Sequence, residues 1–247
     1  MPGSSKFPGP KTPYSLTITK RPRIGLSAKV SKQGWEQRLK YKLVIFDFDG
    51  TLADSFAWLI SISDQVADRY NFKRLDKSQI ETLRGYDVKK IIKDFRVPFW
   101  KIPSIANHLR KLMSENIQDI QMFDGIPVLL QSLADQGAVL AVLSSNSCQN
   151  IRQVLGPDNV ARIRYYECGV SIFGKTAKIR KLLKQSGLQP GEAILIGDEI
   201  RDLDAARAIP IASGAVSWGY ARVEALVAHS PSELFASVAD IAEKIGG

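Results

Sequence analysis

The sequence predicts an α/β protein whose core is a Rossmann-like, doubly wound parallel sheet, with a small all-helical domain inserted into it. Two observations predict this fold class. From residue 123 onward, short and continuously apolar segments alternate with amphipathic helical segments, as in a parallel sheet covered on both faces. Between the first apolar segment and residue 122 the periodicity is helical, and no convincing strand is apparent.

The first predicted element is a buried strand over 43–46, a short apolar run that Asp47 and Gly50 close. Helical spacing of apolar residues follows. It covers 55–72, 78–84, 87–95 and 104–117, with breaks at Gly85, Pro98 and Pro103. The pattern predicts an inserted unit of roughly four helices.

Strands and helices then alternate to the end of the chain. The predicted strands are 139–144, 163–167, 193–196 and 211–216, and the predicted helices are 127–136, 148–155, 176–186, 202–208 and 231–245. We therefore expect a basic, disordered N-terminal extension over 1–40, an α/β core formed by 41–54 and 123–247, and the helical insertion over 55–122.

Composition is that of an ordinary soluble globular protein, with 247 residues, 45% of them hydrophobic and 24% charged. No segment approaches the roughly 20 apolar residues that a membrane helix needs, and the N-terminus has no apolar run of the signal-peptide type. A cytoplasmic location without a membrane partner is the expectation. Cys148 and Cys168 are accordingly expected to be reduced thiols.

The positive charge of the chain is concentrated at its N-terminus. The net charge is +9, and residues 1–40 contribute +8 of it through nine Lys or Arg and one acid. This segment is rich in Pro, Gly, Ser and Thr and has no periodicity, which predicts disorder. An inert extension, a basic tail that binds nucleic acid and an organelle transit peptide are the three interpretations, and we favour the first.

The candidate catalytic and binding residues lie where the predicted strands end, because the functional groups of such sheets gather at the carboxyl edge. In chain order these positions carry Asp47-Phe48-Asp49-Gly50-Thr51, Ser145-Asn146, Lys175 and Gly197-Asp198-Glu199-Ile200-Arg201-Asp202. In an extended segment, residues two apart point the same way, so Asp47 and Asp49 can face one substrate. Asp198 and Asp202 share one face if a helix begins directly after Gly197.

This ordered set resembles the four motifs of the haloacid dehalogenase superfamily: DxDxT, a Ser or Thr at a strand end, a Lys, and GDxxxD. The resemblance covers about residues 41–245, and the insertion is similar to the helical C1 cap of the phosphoglycolate-phosphatase-like subgroup. It implies a Mg²⁺-dependent phosphatase that hydrolyses a small, phosphoglycolate-like phosphorylated metabolite through an aspartyl-phosphate.

The resemblance also assigns chemical roles to the acidic residues. Asp47 would be the nucleophile, and Asp49 would protonate the leaving group and later deprotonate the attacking water. Asp47, the backbone carbonyl of Asp49 and Asp198 would bind Mg²⁺, together with Asp202 directly or through water. Neighbouring carboxyl groups tend to have their pKa values pushed apart, which favours one acid and one nucleophile.

The residues that the resemblance assigns to the phosphate group are Gly50, Thr51, Ser145, Asn146 and Lys175. Ser145 would donate its hydroxyl and Asn146 its backbone N–H, with Ser144 as an alternative to Ser145. Lys175 starts a predicted helix, where anions bind readily, and Lys178 is its alternative.

Arg84 lies in the break between two helices of the insertion. There it could bind a substrate carboxylate through two hydrogen bonds, or simply lie on the surface. Trp218-Gly219-Tyr220 resembles a sequence common in phosphoglycolate-phosphatase-like members, and we expect a packing role for its aromatic rings.

Other functions remain open at this point. A phosphosugar mutase of the β-phosphoglucomutase type has the same core, insertion and aspartyl-phosphate. A nucleic-acid-binding function would depend on the basic tail alone and would weaken steeply with salt. A dehalogenase is disfavoured because that chemistry does not use the acid Asp49 or the metal site at Asp198. A monomer or a homodimer is expected.

Overall fold

The computed structural model describes residues 39–171 and 174–246. The predicted N-terminal extension therefore lies outside the described residues except for its last two. Of these, Lys40 is tied to the end of the chain, since its backbone N–H donates to the carbonyl of Ile245 at 3.0 Å. No helix in the described ranges is long and apolar enough to cross a membrane.

The core is a six-stranded parallel sheet, which confirms the predicted fold class. The strands of the chain are β1 (Leu43–Phe46), β2 (Ala53–Asp54), β3 (Gln121–Met122), β4 (Val139–Leu143), β5 (Ile163–Glu167), β6 (Ala193–Gly197), β7 (Ala212–Val216) and β8 (Glu233–Phe235). The sheet order is β5-β4-β1-β6-β7-β8. Strands β4 and β5 lie on one side of β1, and β6, β7 and β8 lie on the other, so the strand order reverses beside β1. Ligands of open α/β sheets bind at such a reversal.

Helices cover both faces of this sheet. The helices of the chain are α1 (Phe56–Tyr70), α2 (Ile80–Leu83), α3 (Val88–Asp94), α4 (Ile102–Glu115), α5 (Ile126–Asp135), α6 (Cys148–Arg162), α7 (Lys175–Ser186), α8 (Ile200–Arg207), α9 (Val223–Ala228) and α10 (Val238–Ile245). Within β1, Val44 and Phe46 pack among residues of α5, α6 and α10, whereas Leu43 and Ile45 pack among residues of α7 and α8. The continuous apolar run of β1 reflects this two-sided burial.

The helical insertion, residues 55–122, leaves and re-enters the core through a short antiparallel ribbon. Ala53 and Asp54 of β2 pair with Met122 and Gln121 of β3. The four helices α1–α4 lie between these strands. Strand β3 was not predicted, because two residues have no measurable periodicity.

The C-terminal segment differs from the prediction of one helix over 231–245. Residues Glu233–Phe235 form β8 on the edge of β7, and α10 begins only after Ser237, whose hydroxyl accepts the N–H of Asp240. The predicted start of the helix was wrong, because the amphipathic pattern does not show that the first residues of the segment pair with the edge of β7.

The two cysteines are joined by a disulfide, so the prediction of two reduced thiols is wrong for this structure. Cys148 is the first residue of α6 and Cys168 directly follows β5, with 5.3 Å between their Cα atoms. Strands β4 and β5 pair in parallel, and this pairing brings the segments that follow them to the same sheet edge.

Reduction of this disulfide should destabilise the protein without unfolding it. The bond closes a loop with a sequence separation of 20. A loop of this length corresponds to a loss of about 3 kcal/mol in the free energy of unfolding, which lowers Tm by roughly 6–12 °C in a domain of this size. The measurement is Tm with and without dithiothreitol, with free thiols counted. A Cys148→Ser/Cys168→Ser variant is the control that should no longer respond to reductant. An unchanged Tm after complete reduction would contradict the prediction.

Candidate active site

Asp47 lies at the carboxyl end of β1, buried between the loops that follow β1 and β6. Its Oδ1 accepts the backbone N–H of Phe48 at 2.8 Å, and its Oδ2 accepts the ammonium of Lys175 at 2.5 Å. Both carboxylate oxygens are therefore oriented by donors of the protein, one directly after β1 and one at the start of α7.

Three buried carboxylates meet here. One oxygen from each of Asp47, Asp198 and Asp202 lies within 4.8 Å of the others. Asp198 follows β6, the neighbour of β1, and Asp202 is in the first turn of α8, where its Oδ2 accepts the N–H of Glu199 at 3.2 Å. Such a set of hard oxygen donors fits a divalent cation such as Mg²⁺.

The electrostatics of the cluster point to the same need for positive charge. Burial, with the charges of Glu199 and Asp47, raises the pKa of Asp198 well above its ordinary value. Burial also raises the pKa of Asp202 to about 6, although the ammonium of Lys175 opposes this shift. Burial and the neighbouring negative charges thus both oppose ionisation of these carboxylates, and a bound cation would favour the ionised form.

Lys175 is the cation inside the cluster. Its ammonium bonds both Asp47 and Asp202. Burial by itself would lower the pKa of Lys175, but the carboxylates of Asp202 and Asp47 outweigh burial and raise it. The alternative, Lys178, pairs instead with Glu167 at 2.9 Å and is partly exposed. The structure therefore brings Lys175, and not Lys178, to Asp47.

Thr51 and Gly50 lie against Asp198. The hydroxyl of Thr51 donates to Asp198 Oδ1 at 2.8 Å. Gly50 has a φ of +74°, and a Cβ there would lie 2.2 Å from Asp198 Oδ2. Glycine is thus required by both its backbone conformation and the close approach of the carboxylate. Both residues were expected at the phosphate, and both contact a predicted metal ligand.

Asp49 is half-buried and separate from the three-carboxylate cluster. The side-chain amide of Asn146 donates to its two oxygens at 3.2 and 3.1 Å, and the hydroxyl of Ser55 donates to its Oδ1 at 3.1 Å. Burial and the charge of Asp47 raise the pKa of Asp49 from 3.8 to about 6, and the two donors oppose the rise. Asp49 can therefore hold a proton close to neutral pH.

The loop after β4 contributes Ser145 and Asn146. Ser144 is fully buried and its hydroxyl accepts the backbone N–H of Asn146 at 3.1 Å, so this N–H is engaged inside the loop. Ser145 is half-buried and its carbonyl accepts Arg110 Nε, from α4, at 2.8 Å. Of the two serines, only Ser145 is partly exposed to solvent. Asn146 reaches the site through its side chain instead of its N–H.

Arg84 makes contacts that were not predicted. Its Nε donates to the carbonyl of Tyr220 at 2.9 Å, its Nη2 to the carbonyl of Gly219 at 3.1 Å, and its Nη1 to Glu81 at 3.0 Å. All three nitrogens thus bind protein groups, and two of them join the helical insertion to the core. The two bonds to the core are accepted by backbone carbonyls, and a contact between Arg84 and a substrate carboxylate stays a prediction.

Three residues near the acids were missed as site residues from the sequence. Ser55 and Tyr220 share a hydrogen bond of 2.8 Å beside Asp49, and burial and the charge of Asp49 raise the pKa of Tyr220 well above its ordinary value. Arg201 pairs with Glu199 at 2.5 Å, and its buried Nε has no hydrogen-bond partner among the described residues. The available sequence signals were the position of Arg201 directly before Asp202 and the resemblance of Trp218-Gly219-Tyr220 to phosphoglycolate-phosphatase-like members, from which only a packing role was predicted.

In metal-free solution, the protein should become more stable as the pH is lowered. Asp49 and Asp202 have a pKa of about 6 in the folded state. The folded state therefore binds protons more tightly than the unfolded state. The resulting stabilisation is complete below a pH of about 4 and is lost as the pH rises through about 6. On lowering the pH from 8 to 5, we expect a gain on the order of 2 kcal/mol in the free energy of unfolding.

The measurement is Tm against pH in EDTA and, separately, in saturating Mg²⁺, which favours the ionised carboxylates and should flatten the dependence. His108, whose pKa burial lowers, acts in the opposite direction. A His108→Gln variant therefore serves as the control. A Tm in EDTA that rises with pH in this variant would refute the prediction.

Comparison with known proteins agrees with this site. Residues 44–216 match the family model of the haloacid dehalogenase-like hydrolases. The chain is 29% identical over 203 residues to a phosphoglycolate phosphatase from Synechococcus elongatus, with 82% of this chain and 96% of the relative covered. It is 26% identical over 209 residues to a 5′-nucleotidase from Pseudomonas aeruginosa, with 81% and 94% covered.

The fold is shared with solved structures. A haloacid dehalogenase-like family hydrolase from Streptococcus pneumoniae superimposes with a TM-score of 0.67 at 18% identity, covering 83% of this chain and 98% of that one. The matches confirm the predicted resemblance to phosphoglycolate phosphatases and the predicted enzyme class, a phosphoric monoester hydrolase. With its buried aspartates at the edge of a parallel sheet and a family match over most of its length, the chain belongs to the haloacid dehalogenase-like hydrolases.

Proposed function

We propose that this protein is a Mg²⁺-dependent phosphatase that hydrolyses a small, phosphoglycolate-like phosphate monoester through an aspartyl-phosphate on Asp47. The observation that carries the proposal is the surroundings of Asp47. Its carboxylate is buried, oriented by two donors and grouped with two further acids and Lys175. Phosphate monoesters hydrolyse extremely slowly without a catalyst, and a carboxylate nucleophile divides the reaction into two displacements.

In the first displacement, an oxygen of Asp47 attacks phosphorus and the alkoxide of the leaving group takes a proton from Asp49. In the second, Asp49 takes a proton from the water that attacks phosphorus, the bond between phosphorus and the Asp47 oxygen breaks, and inorganic phosphate leaves, which restores ionised Asp47 and protonated Asp49. A pKa of about 6 suits both roles, because Asp49 can exist in either protonation state near neutral pH.

Positive charge is needed between an anionic nucleophile and an anionic substrate. Lys175 supplies one such charge and would bridge Asp47 and the phosphate, while the hydroxyl of Ser145 would donate to a phosphoryl oxygen. Asp47, Asp198, Asp202 and the backbone carbonyl of Asp49 would hold Mg²⁺, which when bound neutralises charge and orients the phosphoryl group. Thr51 and Gly50 would keep Asp198 in its place as a ligand.

A small cavity lies beside this site. It has a volume of about 230 Å³ between the helical insertion and the core, and its lining carries charges of both signs, from Lys175 and Arg201 and from Asp87 and Asp204. We propose that the insertion, residues 55–122, is the cap that closes over a substrate there. The relatives named for phosphoglycolate and for 5′-nucleotides suggest the two substrate classes to compare first. A cytoplasmic monomer or homodimer is the proposed context.

The test is phosphate release from a panel of small phosphate monoesters, measured in Mg²⁺ and in EDTA. The panel includes phosphoglycolate, sugar phosphates and nucleoside monophosphates. We expect release that depends on Mg²⁺ and is fastest for a small acid phosphate. Interconversion of sugar phosphates without phosphate release would favour a mutase. A folded protein inactive in both assays would overturn the proposal.

A further inference from the structure

Residues 218–220, hereafter the linking segment, lie between β7 and α9, where the helical insertion meets the core. Arg84 of the insertion donates to the carbonyls of Gly219 and Tyr220 at 3.1 and 2.9 Å. In return, the backbone N–H of Arg222 donates to the carbonyl of Arg84 at 2.9 Å. The insertion thus holds the linking segment by its backbone.

The other side of the linking segment contacts Asp198. The N–H of Tyr220 donates to Asp198 Oδ2 at 2.8 Å. At Gly219, a Cβ would lie 2.1 Å from the Cβ of Asp198, so no other residue allows this approach. The indole of Trp218 donates to the carbonyl of Thr51 at 3.2 Å. The segment therefore fits closely around one of the three clustered acids.

The side chain of Tyr220 leads to Asp49. Its hydroxyl is 2.8 Å from the hydroxyl of Ser55, which is fully buried. Ser55 uses its single proton to donate to Asp49 Oδ1, so its oxygen is left to accept the proton of Tyr220. The result is a directed series of hydrogen bonds from Tyr220 through Ser55 to the carboxylate of Asp49.

We propose that Tyr220 is a positioning residue that orients Asp49 for proton transfer, and that Arg84 holds Tyr220 in this place when the helical insertion is seated on the core. The inference rests on the proposed function, since it concerns the acid–base residue of that reaction. It goes further in giving Arg84 a role that does not involve the substrate. It also makes the proton-transfer steps depend on a contact between insertion and core.

The effect should be confined to proton transfer. Asp47 is held by Phe48 and Lys175, and neither donor belongs to the linking segment. Loss of the Tyr220 hydroxyl therefore leaves Asp47 in place but removes the hydrogen bond that orients Ser55, one of the two side chains that donate to Asp49. An alkyl ester needs Asp49 as an acid in the first displacement. p-Nitrophenyl phosphate does not, because p-nitrophenolate leaves without a proton. Both substrates need Asp49 as a base in the second displacement.

The experiment compares Tyr220→Phe with wild-type protein on the best alkyl phosphate and on p-nitrophenyl phosphate, in saturating Mg²⁺. Correctly placed acid–base groups contribute about 10²–10⁴-fold, so partial misplacement should lower kcat on the alkyl ester by roughly 10–100-fold, with little change in KM. With p-nitrophenyl phosphate, we expect a burst approaching one p-nitrophenolate per enzyme, followed by a phase slower than that of wild type by a similar factor.

Arg84→Ala should reproduce this pattern and in addition require more Mg²⁺, because the N–H of Tyr220 that holds Asp198 is then less constrained. Matched controls are Tyr70→Phe, which removes an exposed hydroxyl bonded to the carbonyl of Ser104, and Arg74→Ala, which removes an exposed pair with Asp68. Both controls should keep wild-type kinetics.

Three outcomes would overturn the inference while leaving the proposed function intact. Tyr220→Phe could have the same kinetics as Tyr70→Phe, or it could raise KM without lowering kcat. It could also lower kcat equally on both esters without a burst of p-nitrophenolate. Wild-type protein that hydrolyses neither ester would instead overturn the proposed function, and the inference with it.

Discussion

Replacing Asp47 with Asn should abolish phosphate release while leaving the protein folded. The amide of Asn cannot attack phosphorus to form a stable acyl phosphate. Removal of a catalytic nucleophile costs about 10⁴-fold or more in kcat. The Asn oxygen can still accept the N–H of Phe48, and Lys175 keeps its bond to Asp202. The loss should therefore be chemical and not structural.

The measurement for this variant combines phosphate release with mass spectrometry of acid-quenched protein. Wild type should show a phosphorylated form during turnover, and Asp47→Asn should show none. Asp135→Asn is the matched control, since Asp135 is an exposed acid at the end of α5 that accepts a side-chain amide of Gln131. It should retain full activity. An Asp47→Asn variant that keeps more than a few per cent of wild-type activity would exclude Asp47 as the nucleophile.

Replacing Asp198 with Asn should stabilise the metal-free protein and inactivate the enzyme. Asp198 is fully buried, and its pKa is raised by burial and by the charges of Glu199 and Asp47. A neutral side chain of the same shape removes this repulsion, and we expect a gain on the order of 1–3 kcal/mol in the free energy of unfolding. Thr51 can rotate its hydroxyl to accept from the new amide, so the hydrogen bonds of the site need not be lost.

Although Asp198→Asn should make the metal-free protein more stable, it should remove the additional stabilisation by Mg²⁺. At a free concentration of 100 times Kd, Mg²⁺ should stabilise wild-type protein by about 2.7 kcal/mol, a rise in Tm of roughly 5–10 °C for a domain of this size. In Asp198→Asn this rise should be absent, together with activity. Asp204→Asn, a change at an exposed acid of α8, should keep the wild-type response. A full Mg²⁺ shift in Asp198→Asn would remove Asp198 from the metal site.

Much of the core could be predicted because its signals are local. The apolar run of β1 followed by Asp47, and the equivalent run of β6 followed by Asp198, identify buried parallel strands and the acids at their ends. The pairing of β1 with β6 then brings these acids together. Lys175 could be placed at the same edge, since it begins α7, the helix that follows β5.

The errors concern segments whose conformation depends on distant partners. The first residues of the predicted terminal helix form β8 because the edge of β7 is available to them. The two cysteines were predicted to be thiols because a cytoplasmic location was expected, and the sequence does not show that the pairing of β4 with β5 brings them together. In both cases the local pattern is compatible with more than one structure, and contacts with other strands select among them.

Periodicity was thus sufficient to predict that Asp47, Asp198 and Lys175 lie at one edge of the sheet, because each follows a strand or begins a helix that a few consecutive residues identify. The supports of Asp49 and the partners of Arg84 had no such signal. Ser55 and Tyr220 are 165 positions apart, and Arg84 reaches Tyr220 across 136. Which side chains meet at those distances was decided by the packing of the insertion against the sheet edge, since side-chain contact depends on spatial proximity and not on sequence order.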